Sequence, residues 1–85
     1  MSTIEIRVLF FASAREKVGV GSVQITLPIS ACLNDLAQVL YQEYPQLSVL
    51  KPYLRWAVNQ KFEENDQSPL KQGDEVALIP PISGG

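Results

Sequence analysis

The sequence closes on Pro80-Pro81-Ile82-Ser83-Gly84-Gly85, and the final glycines are where its chemistry is expected. Two prolines lack an N–H and fix φ, so a preceding strand should stop there and the chain should leave stiffly extended. Gly84 and Gly85 carry no side chains and form the slimmest backbone for a narrow channel in a partner. A terminal carboxylate, with an ordinary pKa of about 3.3–3.7, is ionised at neutral pH and is a poor electrophile. It becomes reactive once an oxygen is made a leaving group, as ATP-dependent adenylation does by forming an acyl-phosphate mixed anhydride. A sulfur nucleophile can then displace AMP and leave a thiocarboxylate, a good sulfur donor. None of these steps needs a side chain of this chain. They need a deliverable tail and a partner that holds the catalytic site. The plain alternative is that terminal glycines are frayed chain with no role. The stiff Pro-Pro exit, Gly-Gly at the end and a compact α+β domain before them weigh together for the chemical reading.

Little else in the chain is equipped for catalysis. There is no histidine, so the commonest general base and neutral metal ligand are missing. Cys32 is the one cysteine; without a CxxC partner it offers no zinc site, and it reads as a half-buried residue at a helix start. A thiol at a helix N-terminus can have a lowered pKa, which leaves its reactivity open. Gly19 and Gly21 lack the further glycine and the Lys-Ser/Thr of a phosphate loop. Glu63-Glu64-Asn65-Asp66 is not spaced like a calcium loop and reads as a solvated turn. Trp56, Tyr41, Tyr44 and Tyr53 read as core or rim aromatics. No metal and no bound cofactor are expected.

With 85 residues, of which 46% are hydrophobic, the chain suffices for one domain and one core. It cannot also wall off a deep private active site. Seven basic and nine acidic residues give a net charge of −2. The basic residues are scattered, with no run that would track a phosphate backbone, so nucleic acid is not an expected partner. A single thiol makes no internal disulfide. No basic-then-apolar leader opens the chain and no apolar stretch is long enough to span a bilayer, so no membrane association and a cytoplasmic location are expected.

The elements that must carry the tail follow from periodicity. Ile4 to Phe11 reads as a strand, with Ile4, Ile6, Val8 and Phe10 on a core face and Glu5, Arg7, Leu9 and Phe11 opposite. Ala12 to Gly21 reads as a connector in which residues 14–17 could form one helical turn, ended by Gly19 and Gly21. Ser22 to Leu27 alternates as a second strand, stopped by Pro28. Leu33, Leu36, Ala37, Leu40 and Tyr44 form one helical stripe, with Ser30 or Cys32 near the N-cap and Pro45 as the stop. Gln46 to Tyr53 reads as a linker containing a turn. Leu54 to Val58 and Lys61 to Glu63 read as strands joined by a tight turn at Asn59-Gln60. Lys71 to Asp74 is a turn, and Glu75 to Ile79 is the last strand. One amphipathic helix across one face of a mixed sheet is a compact α+β solution.

Three stretches carry a resemblance. Val8-Leu9-Phe10-Phe11-Ala12 with Arg15-Glu16, then Ala57-Val58-Asn59, and most specifically Gly73-Asp74-Glu75-Val76-Ala77-Leu78-Ile79-Pro80-Pro81-Ile82-Ser83-Gly84-Gly85 resemble the small subunits of molybdopterin synthase, ubiquitin-like β-grasp sulfur carriers. Gln60 departs from a common turn glycine, Ile82-Ser83 is one variant of a tolerant pair, and Gln46 to Leu54 carries no family signature. The resemblance implies a β-grasp domain over residues 1–79, with four to five strands and one main helix, and an extended tail over residues 80–85. It implies that a ubiquitin-activating-type enzyme, using ATP, adenylates Gly85 beside Gly84. Sulfur ultimately from cysteine, delivered by a donor protein, would then be loaded as a thiocarboxylate. The charged tail would enter the large synthase subunit, in a heterotetramer of two small subunits flanking a large-subunit dimer. There, two sulfurs delivered in separate steps would convert cyclic pyranopterin monophosphate into the dithiolene of molybdopterin.

Alternation also puts Leu9, Phe11 and Ile79 on the outer face of the sheet, and Phe62 can join them. Exposed apolar clusters tend to mark partner surfaces. The resemblance implies that Phe11, Phe62 and Ile79 contact both partner enzymes, together with Pro80, Pro81, Ile82 and Ser83 of the tail. The alternative is that a loop covers these side chains or that they form a second small core. Three other functions stay open: a sulfur carrier for thiamin, cysteine or tRNA thiolation, a ubiquitin-like modifier joined through Gly85, and a plain binding module with an inert tail. The Pro-Pro exit argues against the thiamin type.

Overall fold

The computed structural model describes residues 2–81. Strand β1 spans Thr3–Phe10. Its apolar alternation buries Ile4, Ile6, Val8 and Phe10 on one face, as period-two patterning requires. Helix α1, Ala12–Val18, follows directly and is longer than the single turn expected. It ends at Gly19, whose φ of 93° lets its N–H turn back to the Arg15 carbonyl. Gly21, expected to share in that stop, instead lies just before β2, where its carbonyl accepts from the Phe10 N–H. Strand β2, Ser22–Pro28, returns antiparallel to β1, in register from Leu9 opposite Ser22 to Thr3 opposite Pro28.

Helix α2 spans Leu33–Glu43 and buries Leu33, Leu36 and Leu40. Cys32 is its N-cap residue and is half-buried. The Asp35 carboxylate accepts the Cys32 N–H at 2.8 Å, which satisfies a donor that the helix start would leave free. That bond favours the charged form and holds Asp35 below the usual carboxylate range. Residues Pro45–Tyr53, expected as a linker, form a 3-10 helix that packs on α1 and α2 and fully buries Leu47. The Gln46 side-chain amide donates to the Lys17 carbonyl at 2.8 Å and ties this segment to α1.

Strands β3, Arg55–Val58, and β4, Lys61–Phe62, form the expected hairpin. Asn59 and Gln60 both take positive φ, 50° and 72°, as a tight two-residue turn demands. The last strand, β5, is Glu75–Ile79. Gly73, at φ 82°, shapes the turn before it and donates its N–H to the Glu5 carbonyl. Asp74 and Asn59 bond side chain to side chain at 2.9 Å, so the hairpin turn is held against the start of β5.

The sheet order is β2-β1-β5-β3-β4, with β5 parallel to β1 and antiparallel to β3. This is the α+β, ubiquitin-like β-grasp arrangement, with five strands and one main helix on the core face. Phe10 meets Tyr44 edge to face at 5.8 Å under α2. Trp56 and Tyr41 are half-buried against the core, whereas Tyr53 is 61% exposed and belongs to the surface. Among the described residues no polar or charged residue is buried, and no helix is long and apolar enough to cross a membrane.

Candidate functional site

The face of the sheet turned away from α2 is built by register. Leu9 pairs with Ala77, Ala77 with Ala57, and Ala57 with Phe62, so these four form one row across β1, β5, β3 and β4. Ile79 pairs with Arg55 in the next row. The Phe11 N–H donates to the Leu78 carbonyl at 3.3 Å, which prolongs the parallel ladder and sets Phe11 beside Ile79. The three side chains expected to dock, Phe11, Phe62 and Ile79, therefore share one face near the end of β5.

Phe11 is 46% exposed and Phe62 53% exposed. A covering loop or a second core, the alternative reading, does not account for exposures of that size. Leu9 and Ile79 are half-buried. Between the two aromatics lie Ile79, Leu9 and the small Ala77 and Ala57, so the face is apolar from Phe11 to Phe62.

One polar member was missing from the sequence reading. The Arg55 guanidinium lies 3.8 Å from the centre of the Phe62 ring, a cation–π stack. Its Nη2 also stands 3.8 Å from the Glu64 carboxylate, a long, exposed pair worth about 0–1 kcal/mol at most. Alternation from Ala57 places Arg55 on this face, but a charge at the end of a strand reads as solvated rim.

Beyond Ile79, Pro80 is buried and Pro81 exposed. Of the two prolines expected to contact partners, Pro80 presents little surface, because it still packs on the domain. Ile82, Ser83, Gly84 and Gly85, which carry the expected chemistry, lie outside the described residues. Elsewhere, Glu63 to Asp66 is a solvated loop held by its own bonds, with the Asn65 side chain accepting the Gln67 N–H at 3.0 Å. Among the described residues no cluster of three His, Cys, Asp or Glu could hold a metal.

The geometry joins to known proteins. The family model described as the ThiS family matches residues 8–85. Over 83 residues the chain is 39% identical to the molybdopterin synthase sulfur carrier subunit of Chlamydomonas reinhardtii, covering 96% of this chain and 100% of that protein. The crystal structure of SAMP1 from Haloferax volcanii superposes with a TM-score of 0.86 at 25% identity, over 95% of this chain and 99% of that one. A chain from the complex of subunits 1 and 2 of molybdopterin-converting factor from Helicobacter pylori superposes at 0.72 with 28% identity, over 96% of this chain and 100% of that one.

Proposed function

The chain belongs to the ThiS family, and on that premise we propose that it is the sulfur-carrier small subunit of molybdopterin synthase, with Gly85 as its reacting residue. The observation that carries this reading is the clustering of exposed Phe11 and Phe62 with Ile79 on one face, at the strand end that leads into Pro80-Pro81. A carrier has to be recognised by successive partners that each receive the same tail. A docking face beside the exit serves all of them.

The chemistry belongs to the terminal carboxylate. An adenylating partner of the ubiquitin-activating type joins the Gly85 carboxylate to the α-phosphate of ATP, and pyrophosphate leaves. A sulfur nucleophile supplied through a donor protein attacks the acyl carbon, and AMP leaves. The product is a thiocarboxylate at Gly85, with Gly84 giving the slim approach. Docked on the large synthase subunit, the tail bonds its sulfur to the cyclic pyranopterin monophosphate, and water then cleaves the acyl–sulfur bond, leaving the sulfur on the pterin and a carboxylate on Gly85. The domain itself supplies recognition and delivery and has no catalytic activity alone. It binds no cofactor, since ATP is used by the partner. The relative from Chlamydomonas reinhardtii and the Helicobacter pylori complex, whose two subunits form one assembly, support this reading. A single thiol without a disulfide partner fits a cytoplasmic or equivalent reducing compartment.

The likeness to SAMP1, a small archaeal modifier protein, favours a second reading in which Gly85 is joined to lysines of other proteins. Both readings begin with the same adenylation, and intact mass separates them. Protein purified from cells with a free C-terminus should include a species heavier by one oxygen exchanged for sulfur, located to Gly85. It should form the dithiolene when given the large subunit and the cyclic pterin. Unmodified carboxylate alone, with the activating enzyme, ATP and a sulfur source supplied, refutes carriage. A mass matching a linked second protein selects the modifier.

A further inference from the structure

The β2 edge of the sheet, next to β1, carries a second set of unused groups. Among the described residues strand β2 is an edge strand, paired only with β1. The Phe10 N–H donates to the Gly21 carbonyl and the Ile29 N–H to the Ser2 carbonyl. With the antiparallel register fixed between these two bonds, the odd residues of β2 turn their N–H and C=O toward β1. The even ones, Ser22, Gln24 and Thr26, turn theirs outward. Among the described residues no backbone bond reaches those outward N–H groups.

Such an edge is usually blunted by charge, by proline, by a bulge or by a covering loop. Here Pro28 closes the last outward position, but residues 22–27 include no charge, and a groove opens at the C-terminal end of the strand. The groove lies between β2 and α2, holds about 360 Å³, and is lined by Leu27, Pro28, Ile29 and Val39 with Asp35 and Gln38 on the helix side. Ile29 is 58% exposed within it. Asp35, Val39 and Glu43 recur every four residues along one flank of α2, and α2 contains no Lys or Arg. The helix side of the groove is thus apolar at Val39 and negative at Asp35, with Glu43 one turn beyond Val39 on the same flank.

We infer that the β2 edge and the groove beside it form a binding site for an extended segment of a partner protein, apolar at alternate positions and flanked by Lys or Arg. The segment would add a sixth strand, paired with the outward groups of Ser22, Gln24 and Thr26. Its alternate side chains would enter the groove against Leu27, Ile29 and Val39, and its cations would meet Asp35 and Glu43. A second copy of this chain suits the site poorly. Pairing two β2 strands would set two acidic α2 flanks on the same side of one continuous sheet, and each chain already carries a charge of −2. The site does not depend on the carrier reading, since it shares no residue with the docking face or the tail.

The test is an NMR titration of the isotope-labelled full chain with a short capped peptide that alternates Val and Ser and bears Lys at both ends. A Glu-ended analogue is the comparison. Saturable shifts are expected at Ser22, Gln24, Thr26 and Val39. Gln24→Pro removes one outward N–H without touching the β1 ladder and should weaken binding about two- to twelvefold. At low salt the Lys peptide should bind about two- to fivefold tighter than the Glu peptide. Asp35→Asn keeps an acceptor for the Cys32 N–H and should shrink that preference. Should Gln24→Pro fail to fold, the Asp35→Asn comparison decides by itself. Shifts confined to Leu9, Phe11 and Phe62, no saturable shift, or equal binding of the Glu peptide would each overturn the site. Shifts at β2 that follow protein concentration without peptide would show a second copy as the occupant and overturn it equally.

Discussion

Truncating Phe11 tests whether the outer face is a docking surface. Phe11 is 46% exposed, and a Phe side chain covers about 200 Å², so roughly 90 Å² remains for a partner to bury. At about 25 cal/mol per Å² that surface is worth about 2 kcal/mol. Phe11→Ala should therefore weaken binding to the large synthase subunit about 30-fold, read by titration calorimetry. The covered half of the ring contributes to the fold, so the same change should lower folding stability by about 1–2 kcal/mol. A domain of this size is stable by about 4–13 kcal/mol and stays folded. Phe11→Lys places an unpaired charge in the same contact and should weaken binding further. Val49, 63% exposed on the 3-10 helix and remote from this face, is the control, and Val49→Ala should leave affinity unchanged. If Phe11→Ala and Phe11→Lys remain folded and bind the large subunit as the native chain does, the docking face is wrong, whatever the tail does.

Two further outcomes test the reading of the fold. Gln60 sits at φ 72° in the hairpin turn, a region that costs a residue with Cβ about 1–2 kcal/mol. Gln60→Gly should then stabilise the domain by about 0.5–1 kcal/mol after the greater flexibility of unfolded glycine is deducted. Calorimetry would record a rise in Tm of several degrees, and a fall would refute the turn assignment. Asp35 is held below its ordinary value of 3.8 by the Cys32 N–H. A carboxyl whose folded pKa lies below its unfolded one adds stability above the unfolded value, and loses it as pH falls through the folded value. Acid unfolding of the native chain should therefore include a component below pH 3.8 that Asp35→Asn removes, and superimposable acid titrations would sink that account.

The parts of the fold that sequence made legible are those fixed by short-range pattern. Alternation from Ile4 to Phe10 set the faces of β1, and the same parity carried Leu9 and Phe11 to the outside. The stripe Leu33, Leu36, Leu40 gave α2 and its buried side, and Asn59 marked the hairpin. The 3-10 helix was illegible for a physical reason. Pro45 and Pro52 punctuate Pro45–Tyr53, and its apolar residues Leu47, Val49 and Leu50 follow neither a strand nor an α-helical period, so nothing in the pattern singles out Leu47 as the buried one. Only the hollow between α1 and α2 identifies it as core. Helix α1 read as one turn because Gly19 and Gly21 both offer a stop, and only the bond from Phe10 to Gly21 assigns Gly21 to the approach to β2. Register between distant strands was equally beyond local pattern. It sets Arg55 opposite Ile79 and so makes a basic residue part of an apolar face.

That register also limits where a partner's chemistry can take place. In the carrier reading the docking face and the reacting carboxyl are joined only by Pro80 to Gly85. A fully extended chain spans at most about 3.3–3.6 Å per residue, so these six residues reach no further than about 20 Å from the end of β5. Burial of Pro80 shortens the free part of that reach. The adenylating enzyme and the large synthase subunit must each hold a reactive centre within this one radius of the surface that meets Phe11, Phe62 and Ile79. Two unrelated reactions can then share one carrier without the carrier changing shape. The rigid five-stranded sheet fixes the origin of the tail, and each partner supplies everything that lies at its end.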